Sequence, residues 1–286
     1  MADRTPAPAI DRAAWLAESS QTGVALSQAW TDEVDTWLTS IWERSRDQAG
    51  LGDEGLALVA VGSYGRRELS VQSDLDLLLL HDPSIDVEPA AQELFYPVWD
   101  AGLKLGHAVR TVDQAVALAA DDLETATGLL DARHVAGDHT LTDALTLQAE
   151  ASWRAGAKKN LPVLRDALLE LHAANGEVAF LLEPDLKDSK GGLRDLHGLR
   201  WLARARDLIV DGDREVMEAA GQRLLAARVE LHRRTGRPGD VLALQEQDAV
   251  AEALGEQADD LMAAVASAGR EISWIAEDTW RRALSR

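Results

Sequence analysis

Apolar residues recur at helical spacing through Val24–Gln48, at Leu26, Trp30, Val34, Trp37, Leu38, Ile41 and Trp42. This spacing predicts one long helix with a single buried stripe. A shorter helix is expected over Ile10–Glu18, with Asp11 near its start, and residues 1–9 read as a disordered terminus. The run Gly50-Leu51-Gly52-Asp53-Glu54-Gly55 breaks the helical pattern. Leu56–Val61 is then apolar throughout, which predicts a central strand covered on both faces. A second such strand spans Leu75–Leu80 and closes at His81-Asp82-Pro83. Val87–Leu103 is expected to be a helix, carrying Leu94, Phe95, Val98 and Trp99 inward, and Lys104–Arg110 a third strand. Thr111 is placed to cap the helix that follows, because its hydroxyl accepts a free first-turn N–H.

Further along, Asp122–Val135 reads as a helix and Gly137-Asp138 as a turn. Leu141–Ala173 reads as one or two long helices, in which Pro162 marks a start or a kink, and Asn175-Gly176 ends them. Phe180–Gly192 is extended by composition. From Arg194 the pattern is helical to the end, over Arg194–Ile209, Asp213–Arg234, Val241–Leu254 and Glu256–Leu284. No internal repeat is visible. Three strands set among helices, followed by helices alone, give an α+β chain, and 286 residues can bury one large core or two smaller ones.

Composition narrows the partners. Acidic residues number 49 against 29 basic ones, a formal charge of −20. Such a surface disfavours nucleic acid, whose binding relies on basic contacts to phosphates. The absence of cysteine excludes disulfides and thiolate metal sites. No apolar run reaches the ~20 residues of a membrane span, and Met1–Pro8 has no apolar signal core. A soluble cytoplasmic protein is expected. Nine Trp against two Tyr and two Phe carry no functional reading.

The chemistry concentrates in Val59–Leu80. Residues two apart on a strand share a face, so Asp74 and Asp76 lie side by side while Leu75 and Leu77 point away. The chain between Ser63 and Asp74 is long enough to bring the Gly62-Ser63-Tyr64-Gly65 turn back beside them. Glycine allows close backbone approach. The turn's N–H groups can hold a triphosphate while the two carboxylates hold Mg²⁺ against it. Other nucleotide and hydrolase signatures are missing: Gly-x-x-x-x-Gly-Lys-Ser/Thr, His-Glu-x-x-His, Gly-x-Ser-x-Gly and the dinucleotide fingerprint. In the later stretch Glu183–Asp195, Lys187 and Arg194 are candidate phosphate ligands, and Gly191-Gly192 precedes a helix whose N-terminus can accept an anion.

The Gly-Ser…Asp-x-Asp arrangement resembles the signature of the nucleotidyltransferase superfamily, the fold of DNA polymerase β. The fuller string resembles one branch, the bifunctional PII-protein uridylyltransferase/uridylyl-removing enzymes. Leu105-Gly106-His107-Ala108-Val109-Arg110-Thr111 looks like that family's third strand, and Glu183–His197 like its hinge into a helical domain. The resemblance runs from about Ala57 to the C-terminus.

It implies a polymerase-β-type nucleotidyltransferase domain with a small mixed sheet, followed by an all-helical domain. The corresponding boundaries are a helical extension over 1–55, the nucleotidyltransferase domain over 56–140 and a helical substrate or linker domain over 141–286. By resemblance Asp74 and Asp76 are the catalytic, metal-holding pair. Gly62, Ser63, Gly65, Arg66, Lys187 and Arg194 are the nucleotide-binding set. UMP or AMP would pass from UTP or ATP to a tyrosine of a PII-type signalling protein. The superfamily's third carboxylate is missing from its usual strand; His107, Glu183 or Asp185 are the candidates to replace it. The family's HD and ACT domains have no counterpart in these residues, so transfer alone is expected, from a short homologue or a fragment. Two other readings stay open: a non-catalytic nucleotide-binding regulatory remnant, and a nucleotidyltransferase with another acceptor.

Overall fold

A computed structural model describes residues 9–285; the expectation of disorder for residues 1–9 falls on residues 1–8, outside the described range. The chain opens with α1 (Arg12–Glu18), whose free N–H groups are taken by the Asp11 carboxylate. Helix α2 (Gly23–Ala49) follows and buries Trp30, Val34, Trp37, Leu38, Ile41 and Trp42 along one stripe. Next come β1 (Leu56–Ala60), the one-turn helix α3 (Gly62–Gly65), β2 (Leu75–His81), α4 (Glu88–Asp100) and β3 (Leu105–Arg110). Then follow α5 (Val112–Ala119), α6 (Leu123–Leu130), β4 (Arg133–Gly137) and α7 (His139–Ala155). The remainder is helical: α8 (Ala157–Asn175), α9 (Leu193–Ala205), α10 (Asp211–Thr235), α11 (Leu244–Leu254) and α12 (Ala258–Leu284). Among the described residues no helix is long and apolar enough to cross a membrane.

The fold is α+β, with a small mixed sheet in the order β3-β2-β1-β4. β1 runs antiparallel to β2 and β4, whereas β2 and β3 are parallel. All five residues of β1 are buried, as an uninterrupted apolar run between two neighbours requires. Thr111 caps α5 as its sequence suggested. Its hydroxyl accepts the Gln114 N–H at 3.2 Å, and the Gln114 side chain accepts the Thr111 N–H at 3.0 Å.

Two expectations are corrected. The helix foreseen over Asp122–Val135 stops at Leu130, and Arg133–Gly137 pairs with β1 as an edge strand. The deciding interaction is a ladder to residues far away in sequence, which overrides local propensity. Phe180–Gly192 is a chain of turns rather than extended backbone, with single bridges Glu177–Lys190 and Asp185–Val241. Elsewhere the long pattern over 141–173 divides at Gly156, and Pro162 lies inside α8 rather than starting it.

The chain forms two units. Of the described residues, the first holds 9–20, Gln28–Leu69 and Ser73–Ala149; the second holds Gln21–Ser27, Ser70–Gln72 and 150–285. The first contains the sheet. The second is built on α8 to α12, with Leu196, Leu199, Leu224, Val229, Ile272 and Trp280 among its buried side chains.

Packing around α3 leaves no spare room. A Cβ on Gly65 would stand 2.1 Å from the Asp131 carbonyl oxygen and 3.0 Å from that of Ala60, both backbone atoms. Gly65→Ala should therefore cost about 1–3 kcal/mol of stability. Gly128→Ala, inside α6 with nothing near its Cβ position, should instead gain up to about 1 kcal/mol. Urea unfolding of the two variants checks the contrast; equal midpoints would contradict it.

Candidate functional site

The end of β1 and the start of β2 face each other across an antiparallel ladder in which Ala60 pairs with Leu77. One step further the Val61 N–H donates to the Asp76 carbonyl at 3.0 Å. The next residue, Gly62, has φ +60° and opens α3. Its missing Cβ leaves room for the Asp76 carboxylate: a Cβ there would lie 3.1 Å from Oδ2. On the other side Asp76 is in register with Gly106 of β3, where a Cβ would fall 2.4 Å from Oδ1. Two glycines on different elements thus flank one carboxylate. Asp74 sits just before β2. It is exposed, and Lys104 Nζ lies 3.7 Å from its Oδ1.

Of the two predicted acids, Asp76 borders the turn, while the contact of Asp74 is to Lys104. Gly62, Ser63 and Gly65 all lie in α3. Ser63 is half-buried, and its carbonyl accepts the Glu68 N–H at 2.9 Å. The Arg66 guanidinium is mostly buried and engages Glu68 at 2.9 Å and Asp131 at 2.5 Å. Arg67 is the one described non-glycine residue with positive φ (59°), and it pairs with Asp32 and Asp35. Asp35, Asp131, Tyr64 and Arg133 were not singled out from sequence. Asp35, Tyr64 and Arg133 meet through side chains tens of residues apart, as Asp131 meets Arg66, and no spacing rule reports such meetings.

His107 does not join the acids. It is in register with Leu77, hence on the opposite face, where its ring packs 4.6 Å from Phe95 and 5.4 Å from Trp99. Among the described residues no group of three or more His, Asp or Glu is gathered to hold a metal.

The second stretch lies in the helical unit. Glu183 accepts the Leu244 N–H at 2.8 Å. Asp185 accepts the N–H groups of Lys187 and Asp188 at 2.9 and 2.7 Å, and burial raises its pKa. Lys187 Nζ lies 3.8 Å from Asp240, and Arg194 Nε 3.2 Å from Asp188. Asp195 is buried. It accepts the Gly191 N–H at 2.7 Å and stands 2.9 Å from His172 Nε2. A Cβ on Gly191 would fall 2.2 Å from the Gly269 carbonyl, so this glycine lets the segment press against α12. Asp240 receives Arg228 Nε at 2.7 Å and His232 Nε2 at 2.9 Å. Burial pushes the Asp240 carboxyl upward, but the His232 hydrogen bond and the Arg228 charge outweigh it and hold the group well below the usual range. His232 is fully buried, which lowers its pKa despite the bond to Asp240.

Comparison with known proteins adds two family matches. The model for glutamate-ammonia ligase adenylyltransferase matches residues 7–103, and that for GlnD PII-uridylyltransferase matches residues 164–280. The relatives include several named bifunctional uridylyltransferase/uridylyl-removing enzyme. That of Streptomyces coelicolor is 48% identical over 269 residues, covering 93% of this chain and 32% of that protein. That of Mycobacterium tuberculosis is 40% identical over 274 residues, covering 92% and 33%. That of Burkholderia lata is 34% identical over 269 residues, covering 88% and 30%. The chain therefore spans about a third of the length of the relatives it matches.

The Asp240–His232 pair sets a pH dependence. His232 binds its proton less readily folded than unfolded, where the ordinary value is 6.5. Its contribution is complete above that value and is lost as pH falls below it. Stability measured by urea at pH 7.5 and 5.5 should fall toward acid less steeply in His232→Gln than in the parent. Equal slopes would remove His232 from the account.

Proposed function

We propose, from the chain's similarity to bifunctional uridylyltransferase/uridylyl-removing enzymes and the match of residues 164–280 to GlnD PII-uridylyltransferase, that it transfers UMP, or AMP, from the nucleoside triphosphate to a PII-type nitrogen-regulatory protein in the cytoplasm. The observation that carries the reading is the Asp76 carboxylate, flanked by Gly62 of the turn and Gly106 of the next strand. That arrangement keeps an acid and a short backbone turn adjacent, with no side chain between them.

Asp74 and Asp76, two residues apart at the entry to β2, offer oxygen donors of the kind Mg²⁺ takes; held there, the ion would offset charge on the triphosphate as pyrophosphate departs. The α3 turn receives the phosphates through its backbone N–H groups, with the Ser63 hydroxyl as a further donor. Arg66 is the further proposed nucleotide ligand of the first unit, paired with Glu68 and Asp131; Lys187 and Arg194 are proposed phosphate ligands of the second unit, paired with Asp240 and Asp188. The acceptor hydroxyl oxygen bonds to the α-phosphorus, and the bond to the bridging oxygen of the β-phosphate breaks. Pyrophosphate leaves with that electron pair, and the hydroxyl proton passes to solvent. The protein's part is positioning and electrostatic stabilisation, as in phosphoryl transfer generally. The reading divides the chain at residues 55 and 140, into a helical extension, a nucleotidyltransferase domain and a helical substrate domain.

AMP is retained beside UMP because residues 7–103 match an adenylyltransferase family, whereas the relatives bear a uridylyl name.

Incubation with α-labelled UTP or ATP, Mg²⁺ and a PII protein tests the reading, with label on the acceptor and pyrophosphate release as readouts. Asp76→Asn should lower transfer on the order of a hundredfold or more without lowering the melting temperature. Transfer at the parental rate in that variant would end the proposal; nucleotide binding without transfer in the parent would support the non-catalytic alternative. Gly106→Ala should also cost on the order of tenfold, because its Cβ displaces the mobile end of Asp76 while the strand persists. Undiminished transfer in this variant would show that the carboxylate's position is not critical.

A further inference from the structure

The turn that borders Asp76 is braced from below by a helix outside the motif. The Tyr64 side chain is fully buried, and its hydroxyl donates to Asp35 of α2 at 2.5 Å. Burial, and then the Asp35 charge, hold the phenol far above its usual range, so it remains a donor. Arg133 of β4 grips the same carboxylate with two bonds, 2.9 and 3.0 Å long. Its guanidinium also lies 5.0 Å from the Tyr64 ring centre and donates to the Tyr64 carbonyl at 3.3 Å. Arg67 adds a contact to Asp35 at 3.3 Å from a left-handed backbone that an ordinary residue occupies only when its surroundings over-determine it. Asp35 therefore collects three groups: Tyr64 of α3, Arg67 two residues past the turn, and Arg133 of an edge strand. All of them bear on the Gly62–Gly65 turn, whose first residue abuts Asp76.

We propose that Asp35 is a positioning residue for nucleotide transfer, acting through Tyr64 and Arg133 to fix the Gly62–Gly65 turn against Asp76 while touching neither substrate. This rests on the transferase reading above. A bidentate carboxylate–guanidinium pair has a fixed plane, and the phenol adds a second direction, so the turn's orientation is determined without any contact from the phosphate side. Displacement of a binding group by about an ångström can cost up to a hundredfold in rate.

Tyr64→Phe keeps the buried ring and removes only the hydroxyl; Asp35→Asn keeps the shape and removes the charge. Calorimetric binding of a non-hydrolysable UTP analogue with Mg²⁺ is measured alongside kcat, the KM for triphosphate and the KM for acceptor. Tyr64→Phe should weaken analogue binding and kcat/KM for triphosphate by about tenfold, with the acceptor KM and the melting temperature close to parental. Asp35→Asn should lose at least as much, and the double variant no more than Asp35→Asn alone, because the two act as one unit. If Asp35→Asn does not fold, Tyr64→Phe decides alone. Values within twofold of the parent, or losses that follow melting temperature and affect both KM values alike, overturn the positioning role. An Asp76→Asn protein with parental activity overturns instead the reading beneath it.

Discussion

The β1–β2 ladder is the constraint on which the candidate site depends. Its register delivers the chain at Val61 opposite Asp76, and everything after follows from that placement. Shifting the pairing by one residue would exchange Asp76 for Leu75 or Leu77 at the turn, because side chains alternate between faces. The register is strongly specified, since β1 is buried along its whole length and β2 along most of it. The position of one acid is thus maintained by the apolar residues around it. Parallel pairing with β3 then supplies Gly106 on the same face and sends His107 to the other.

The charged side chains in both units share a logic. Arg66, Arg133, Arg228 and Lys187 all lie against carboxylates, in a chain with an excess of acid. Partly buried cations without such partners would be costly. Asp240 and Asp131 serve as anchors within their own units, Asp131 for the residue after the glycine turn and Asp240 for the segment around Lys187. Geometry of this kind preorganises backbone, which is what a turn must offer to a phosphate chain.

Much of this architecture was legible from the residue pattern. The two apolar strands, the Thr111 cap and the helical tail with its breaks at Gly236 and Gly255 follow from continuous runs and period. The Gly62 turn and Asp76, which borders it, were also named from sequence, because both lie in one short continuous stretch. What escaped was non-local. β4 contains Arg133 and His134 and has one β-branched residue; only its pairing to β1 makes it a strand. Arg66 looks like a phosphate ligand from its place beside the turn, yet Asp131 and Glu68 hold it. The Asp35 cluster draws on positions 35, 64, 67 and 133, and no window of sequence contains them together. The abundant tryptophans prove structural for the most part: Trp30, Trp37, Trp42, Trp153, Trp201 and Trp280 are buried.

The Tyr64–Asp35 hydrogen bond also bears on how the polypeptide can be dissected. A truncated version starting at Leu56 would retain all four strands and both candidate acids. It would also retain a phenol in an apolar slot and a guanidinium beside it, with their shared acceptor deleted. The cost of stranding those two groups would fall on the glycine turn itself. Trimming away the leading helices would therefore disturb the glycine turn directly, and it would also strip Trp42 from its place against Gly137 of β4.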